Sequence, residues 1–340
     1  MKIFKVQTLV TFIMLSTYNC KKINHTKKVL PDVKTEKTLN DTDDPAIWIN
    51  KTNAENSIIF GTDKNANGAI YAFDLEGKII TNKCIRNIKR PNNIDVAYNF
   101  KLNDSISKDI IAFTERGLNQ IRIFTVPDMK SIDNGGFKVF RDERKPGYNL
   151  PMGIALYKSF DNKKLYAIIS RKNGPKKEYL YQYEIYAENG SVKHKLVRQF
   201  GKFSGKKEIE SIAVDEELGY VYYSDEKHGI RKYHADPEKG NKEIAVFGGE
   251  LFKEDIEGIA IAKMNNKNGY IIISNQQQNS FNVFDRKTNT FIKKIDLTTT
   301  RTDGCEVTTI PLGSKFPNGL FVAMNDHRDF YFYDLKKTIN

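Results

Sequence analysis

Three aspartates lie within four positions of one another, at Asp41, Asp43 and Asp44, directly before the stretch Pro-Ala-Ile-Trp. Carboxylates this close repel one another and raise one another's pKa, so water, hydrogen bonds or a cation must neutralise them. A turn is one interpretation, because Asp side chains accept hydrogen bonds from nearby backbone N–H groups and Pro fits the first position of a strand. A site for a metal ion that binds oxygen ligands is the other. This stretch alone leaves both interpretations open.

Two series of polar residues recur beside short apolar runs. The first precedes such runs and is acidic except at one position; its members are Asp43, Asp44, Asp95, Met152, Glu210, Asp255, Glu257, Asp303 and Glu306. The second follows other apolar runs, with cations in the first half of the chain and oxygen ligands in the second; its main members are Lys64, Arg116, Lys172, Glu226, Gln276, Asn325 and Asp326. Carboxylate and amide oxygens suit Ca²⁺, which takes about 6 to 8 oxygen ligands. Zinc is disfavoured because His and Cys residues are few and unclustered.

The elements that would bring these residues together are repeated strands. Long helical periods are absent, and short alternating runs end in an aromatic residue followed by a turn. These aromatic residues, spaced 49 to 59 positions apart, are Phe73, Phe124, Tyr183, Tyr233, Phe284 and Tyr333. Propeller blades are four-stranded sheets of roughly 40 to 50 residues around a central channel. The sequence therefore predicts an all-β, six-bladed β-propeller.

In this fold the two polar series lie at one end of the channel, as an acidic crescent that faces a basic one. A metal ion beside a bound anion would use both crescents. The alternative is that the acidic residues only form a solvated, hydrogen-bonded rim. Because acids recur in five of the six blades and cations occupy the other series, we favour the metal and anion site, with Asp43 and Asp44 as ligands.

Composition limits the possible partners. With 340 residues and 39% hydrophobic content, the chain has enough apolar surface for one large domain. The net charge of +12 favours anionic partners. Nucleic acid is not expected, because the basic residues are scattered and no zinc-ligand, helix-turn-helix or RNP-like pattern accompanies them. A phosphorylated small molecule fits better. Cys84 and Cys305 could pair in an oxidising compartment, but we favour two buried free thiols.

The amino terminus has the pattern of an export signal. Lys2 and Lys5 precede an apolar run over residues 9–15, and small and polar residues lead to Cys20. This predicts a signal peptide over 1–20 of the lipoprotein type, a flexible tether over 21–38 and a propeller domain over 39–340. We expect an exported, monomeric protein that is lipid-anchored through Cys20 to the outer membrane or cell surface, or else simply secreted.

The motifs DDPAIW, TDK, NNID, DIEG, TDG and FPNGLFVA, taken in order, resemble those of the β-propeller phytases, which are calcium-dependent alkaline enzymes. The resemblance runs from about residue 41 to the carboxyl terminus. It implies a six-bladed propeller that binds several calcium ions. It also implies hydrolysis of phytate (myo-inositol hexakisphosphate) or other inositol polyphosphates, of the 3-phytase type, by attack of a calcium-bound water.

The resemblance also implies roles for individual residues. The calcium ligands would be Asp43, Asp44, Glu210, Glu226, Asp255, Glu257, Gln276 and Asp303. Glu210, Glu226 and Glu257 would be catalytic, and Lys64, Arg116 and Lys172 would bind substrate phosphate. Three departures from the family pattern occur, at Asn65, at Met152 and at Met324 with Asn325. We expect the changes at Asn65 and at Met324 with Asn325 to weaken one phosphate site and one calcium site. At Met152 we expect the backbone carbonyl to matter more than the side chain.

Other functions remain possible from the residues. A non-catalytic calcium-binding surface propeller could bind a glycan or a protein. A propeller lactonase or sugar-phosphate hydrolase would share the scaffold, because fold alone does not fix function. The three basic residues favour a polyphosphorylated substrate over a lactone.

Overall fold

The computed structural model describes residues 28–188 and 191–339, which form six four-stranded antiparallel sheets. Blade 1 comprises β2 (Thr42–Trp48), β3 (Ile58–Asp63), β4 (Gly68–Phe73) and β5 (Ile85–Ile88). Blade 2 comprises β6 (Pro91–Lys101), β7 (Ser107–Glu115), β8 (Gln120–Val126) and β9 (Phe137–Lys138). Blade 3 comprises β10 (Pro151–Lys158), β11 (Leu165–Arg171), β12 (Lys177–Glu188) and β13 (Ser191–Lys202). The predicted six-bladed propeller is confirmed.

The remaining blades have the same strand order. Blade 4 comprises β14 (Ile212–Asp215), β15 (Tyr220–Asp225), β16 (Gly229–His234) and β17 (Ala245–Phe247). Blade 5 comprises β18 (Ile259–Lys263), β19 (Gly269–Asn275), β20 (Ser280–Asp285) and β21 (Phe291–Asp296). Blade 6 comprises β22 (Cys305–Thr308), β23 (Leu320–Asn325), β24 (Asp329–Asp334) and β1 (Val33–Lys34), and a short helix, α1 (Lys336–Ile339), follows β24.

The repeated aromatic residues are buried on the third strand of each blade, as the repeat predicts. Their rings pack between neighbouring sheets; the rings of Phe73 in blade 1 and Phe330 in blade 6, for example, have centroids 5.9 Å apart. Because both faces of each blade are buried against the next blade, the strands contain almost continuous apolar runs. This packing holds the first strand of each blade at the channel and fixes the position of every strand end around it.

The ring is closed by a segment from the amino-terminal side. In β1, Val33 pairs with Phe332 and Lys34 pairs with Tyr331, and Thr38 is buried further along. The prediction of a flexible tether up to residue 38 is therefore wrong for this segment. The polar composition concealed its role, which is to satisfy the exposed edge of β24 with backbone hydrogen bonds.

Two further predictions concern the cysteines and the leader. Cys84 and Cys305 are both free thiols, as expected, but only Cys305 is buried; Cys84 is partly exposed, so the expected burial is wrong for it. The predicted signal peptide with Cys20, and residues 21–27 of the predicted tether, lie outside the described residues. Within the described ranges no helix is long and apolar enough to cross a membrane.

Candidate functional site

The first strands of the blades begin at one end of the channel, and the second strands end there. A β-bulge opens the first strand in blades 1, 2 and 3; in blade 1 it lies between Thr42 and Pro45. Bulges change the direction of side chains, and this one separates two adjacent aspartates. Asp43 lies on the rim, where it contacts Lys64, whereas Asp44 Oδ2 accepts a hydrogen bond from the backbone N–H of Ile94 at 3.0 Å.

Asp44 therefore does not join the other predicted ligands on the rim. It lines a channel cavity of about 530 Å³ together with Asp95 and Glu306. Burial raises the pKa of Asp44 well above its usual range, and the charges of Asp43 and Glu306 raise it further. Burial likewise raises the pKa of Asp95 to about 7 and that of Glu306 to about 8.

One part of the rim is an ion-pair group between blades 1 and 6. Lys64 Nζ lies 2.7 Å from Asp43 Oδ1 and 2.9 Å from Asp303 Oδ2, and Gln276 donates a hydrogen bond to Asp303. Burial alone would lower the pKa of Lys64, but the charges of Asp43 and Asp303 raise it overall. Burial raises the pKa of Asp303 to about 8, against the opposing charge of Lys64. Lys64, predicted to bind phosphate, thus contacts two predicted metal ligands directly.

The other part of the rim, called the carboxylate cluster below, lies between blades 4 and 5. Its members are Glu208, Glu210, Glu226, Asp255 and Glu257. Oxygens of Glu208, Glu210 and Glu226 lie within 4.8 Å of one another, and so do oxygens of Glu226, Asp255 and Glu257. Gly153 packs against the backbone of Glu210 in this cluster. A Cβ at that position would approach the backbone oxygen of Glu210 to 1.8 Å, so the close packing requires glycine.

The carboxylate cluster is buried except at Asp255, which is partly buried, and some of its oxygens have no partner. Burial raises the pKa of Glu226 to about 9 and that of Glu257 well above its usual range; the pKa of Glu257 is raised further by the charges of Glu210 and Glu226. Glu226 is fully buried, yet its Oε1 has no hydrogen-bond partner, and neither does Asp255 Oδ1. Buried oxygens without partners are costly unless a cation lies among them. This set of hard oxygen donors fits calcium.

The predicted phosphate binders reach this region from blades 2 and 3. Arg116 donates to the side-chain oxygen of Asn92 and contacts the sulfur of Met152, while its Nε has no hydrogen-bond partner. Burial lowers the pKa of Arg116, and the charges of Glu210 and Asp43 oppose that effect. Lys172 Nζ lies 2.5 Å from Glu208 Oε2, and 45% of the Lys172 side chain is exposed.

The residues at the three departures from the family pattern, Asn65, Met152 and Met324 with Asn325, have different surroundings. The carbonyl of Met152 accepts a hydrogen bond from Thr114 Oγ1 at 2.5 Å, and the Met152 sulfur contacts Arg116. Met324 is buried in the core between blades 6 and 1. Asn325 Oδ1 accepts a hydrogen bond from the backbone N–H of Thr300 at 2.9 Å. Asn65 accepts one from the backbone N–H of Asn67 at 3.1 Å.

Three rim residues were not identified from the sequence. Asn92 donates to Asp43 Oδ2 at 2.9 Å and to Glu210 Oε1 at 2.6 Å, and so connects the two parts of the rim. Glu208 could have been found, because residues two positions apart point to the same face of an extended segment and Glu210 was already a candidate. No pattern in the sequence indicated Lys207. In the structure its Nζ lies 2.8 Å from Glu226 Oε2 and 2.6 Å from Asp255 Oδ2.

Comparisons with known proteins agree with this architecture. The β-propeller domain of Cps50 (Swd1) from Myceliophteria thermophila has a TM-score of 0.51 and 8% sequence identity, covering 88% of this chain and 85% of that one, which supports the fold alone. The 3-phytase of Bacillus subtilis (strain 168) is 32% identical over 299 residues, covering 83% of this chain and 74% of that protein. The Phytase family model matches residues 4–329. The chain therefore belongs to the phytase family.

Proposed function

We propose that this protein hydrolyses phosphomonoesters of phytate in a reaction that depends on calcium. The observation that carries the proposal is the juxtaposition on one rim of buried carboxylate oxygens without partners and of Arg116 and Lys172 beside them. The relative from Bacillus subtilis is a 3-phytase, which supports phytate as the substrate and motivates the same subtype here.

The residues that would hold calcium lie in both parts of the rim. In the carboxylate cluster they are Glu208, Glu210, Glu226, Asp255 and Glu257, and in the ion-pair group they are Asp43, Asp303 and Gln276. Bound calcium would stabilise negative charge on a phosphoryl group and lower the pKa of a water molecule that attacks it. Asp44 is not among these rim residues, because it lines the channel cavity with Asp95 and Glu306.

The basic residues would bind and orient the substrate. Arg116 presents a planar guanidinium whose Nε is still without a partner, a geometry suited to a phosphate group. The partly exposed Lys172 can leave Glu208 for a second phosphate without disturbing the core. Lys64 is held by Asp43 and Asp303, which fixes its ammonium at the rim. A hexakisphosphate offers several phosphates to such dispersed cations.

We also propose an exported monomer, anchored by a lipid at Cys20 or secreted. The support is the basic start, apolar run and cysteine of residues 1–20.

The test is release of inorganic phosphate from phytate by purified protein at saturating calcium and in excess chelator. We expect release only with calcium, and we expect Glu257→Gln to be strongly impaired. Full activity in chelator would contradict the proposal. Calcium-dependent thermal stabilisation without phosphate release would instead support a non-catalytic calcium-binding propeller.

A further inference from the structure

Lys207 lies in the loop between β13 and β14, and its ammonium sits among the acids of the carboxylate cluster. Its Nζ is 2.8 Å from Glu226 Oε2, 2.6 Å from Asp255 Oδ2 and 3.7 Å from Glu257 Oε1. Among the described residues, these three also form one of the two groups of acids whose oxygens are close enough together to hold a metal ion. A divalent cation and the ammonium therefore need the same oxygens.

The ammonium compensates the cluster only in part. Glu226 Oε1 and Asp255 Oδ1 have no hydrogen-bond partner even though Lys207 contacts the other oxygen of each carboxylate. A doubly charged ion that binds several oxygens at once neutralises such a group better than one ammonium does. Exchange of Lys207 for a divalent cation is therefore favourable, but the cation must break the contacts that Lys207 makes.

A displaced Lys207 has another site within reach. It lines a second cavity, of about 500 Å³, together with Lys172, Lys176, Tyr148 and Phe203. Because 31% of the Lys207 side chain is exposed, it can turn towards this cavity without repacking buried residues. Three lysines around one cavity repel one another unless an anion lies between them.

We propose that Lys207 is a built-in counter-ion of the carboxylate cluster: it competes with a divalent cation for Glu226, Asp255 and Glu257, and once displaced it binds a phosphate group of the substrate in the adjoining cavity. The inference rests on the proposed function, because it requires a cation on this rim and a polyphosphorylated substrate. It makes metal binding and substrate binding cooperative, since calcium releases the lysine that the substrate then uses.

The test compares Lys207→Met with Lys206→Met. Lys206 is the neighbouring exposed lysine, and its Nζ donates to the backbone oxygen of Lys227 at 2.9 Å rather than to the cluster. Both variants lose one positive charge near the rim, so their difference isolates the direct contacts. Calcium affinity is measured by competition with a fluorescent chelator, starting from calcium-loaded protein so that each variant is folded at the outset.

We expect Lys207→Met to bind calcium at least about tenfold more tightly than Lys206→Met, since breaking a charge-assisted hydrogen bond changes an equilibrium by about that factor or more. Its melting temperature should fall in chelator and be nearly unchanged at saturating calcium, where its KM for phytate should rise. Lys207→Arg, which keeps the charge, should have an intermediate affinity.

Equal calcium affinities of Lys207→Met and Lys206→Met, or weaker binding by Lys207→Met, would overturn the inference. If the wild-type protein binds calcium and releases phosphate but the two variants agree, the inference about Lys207 fails alone. If the wild-type protein does neither, the proposed function fails.

Discussion

Glu226 Oε2 forms an ion pair with Lys207 Nζ at 2.8 Å, whereas the other oxygen of the same fully buried carboxylate has neither an ion-pair nor a hydrogen-bond partner. Without a bound metal ion this incompletely paired carboxylate is a source of instability, and with a metal ion it is a ligand. The Glu226 carboxyl should therefore lower the stability of the protein in chelator and raise it in the presence of calcium.

The first prediction uses this reversal. Glu226→Gln removes a carboxyl whose charged form is disfavoured by burial and by the charges of Glu208 and Glu210, while Lys207 opposes these effects; the net result is a raised pKa. In chelator we expect its melting temperature to equal or exceed that of the wild type. With saturating calcium we expect a smaller gain in melting temperature than in the wild type, because a ligand charge is lost. A lower melting temperature in chelator together with an undiminished calcium gain would contradict this role.

The second prediction separates substrate binding from metal binding. Lys172→Ala removes an exposed cation that can bind a phosphate, and a charge-assisted hydrogen bond contributes about 1.5 to 3 kcal/mol. The kcat/KM for phytate should then fall by roughly one to two orders of magnitude, while calcium-dependent stabilisation persists. Lys177→Ala, at the start of β12, is the control and should leave both quantities near wild type. Loss of calcium stabilisation in Lys172→Ala would show that the assignment is wrong.

The third prediction concerns pH and the acids inside the channel. Burial raises the pKa of Asp95 to about 7 and of Glu306 to about 8, so the folded protein retains protons that the unfolded chain releases. The contribution of these retained protons to the free energy of unfolding is fully present below about pH 4. It is lost as the pH rises to 8, at up to about 1.4 kcal/mol per pH unit for each group.

Asp95→Asn removes one of these titrations and keeps an acceptor for the backbone N–H of Leu156 or Val96. Its free energy of unfolding in urea, measured in chelator, should therefore fall less between pH 5 and pH 8 than that of the wild type. Identical pH slopes for the two proteins would count against buried, protonated carboxyls in the channel.

The fourth prediction tests the anchor. From the pattern around Cys20 we expect a lipid-modified protein in the membrane fraction of the source cell, and Cys20→Ser should move it to the soluble fraction. Fractionation with mass spectrometry of the mature amino terminus measures both. Unchanged membrane association of Cys20→Ser would contradict a lipid anchor at Cys20 and would mean that another feature of the protein binds the membrane.

The fold was predictable because the aromatic repeat marks the same strand in every blade, and that strand's buried ring is a consequence of blade packing. The rim was predictable in outline for the same reason, since equivalent strand ends must meet at the channel. The separation of Asp43 from Asp44 was not, because the bulge that causes it depends on pairing with β3. Lys207 was not identifiable either, because a loop lysine beside Lys206 resembles solvated surface until the loop is placed. The edge strand at Val33 and Lys34 was missed because its partner is about 300 residues away in sequence.

The most direct measurement of the central claim is the initial rate of phosphate release from phytate as calcium is returned to chelator-treated wild-type protein. The account predicts no release before calcium is added and a saturable rise that follows the increase in melting temperature, because one set of rim carboxylates governs both. A rate that is independent of calcium, or that saturates without any change in melting temperature, would contradict it.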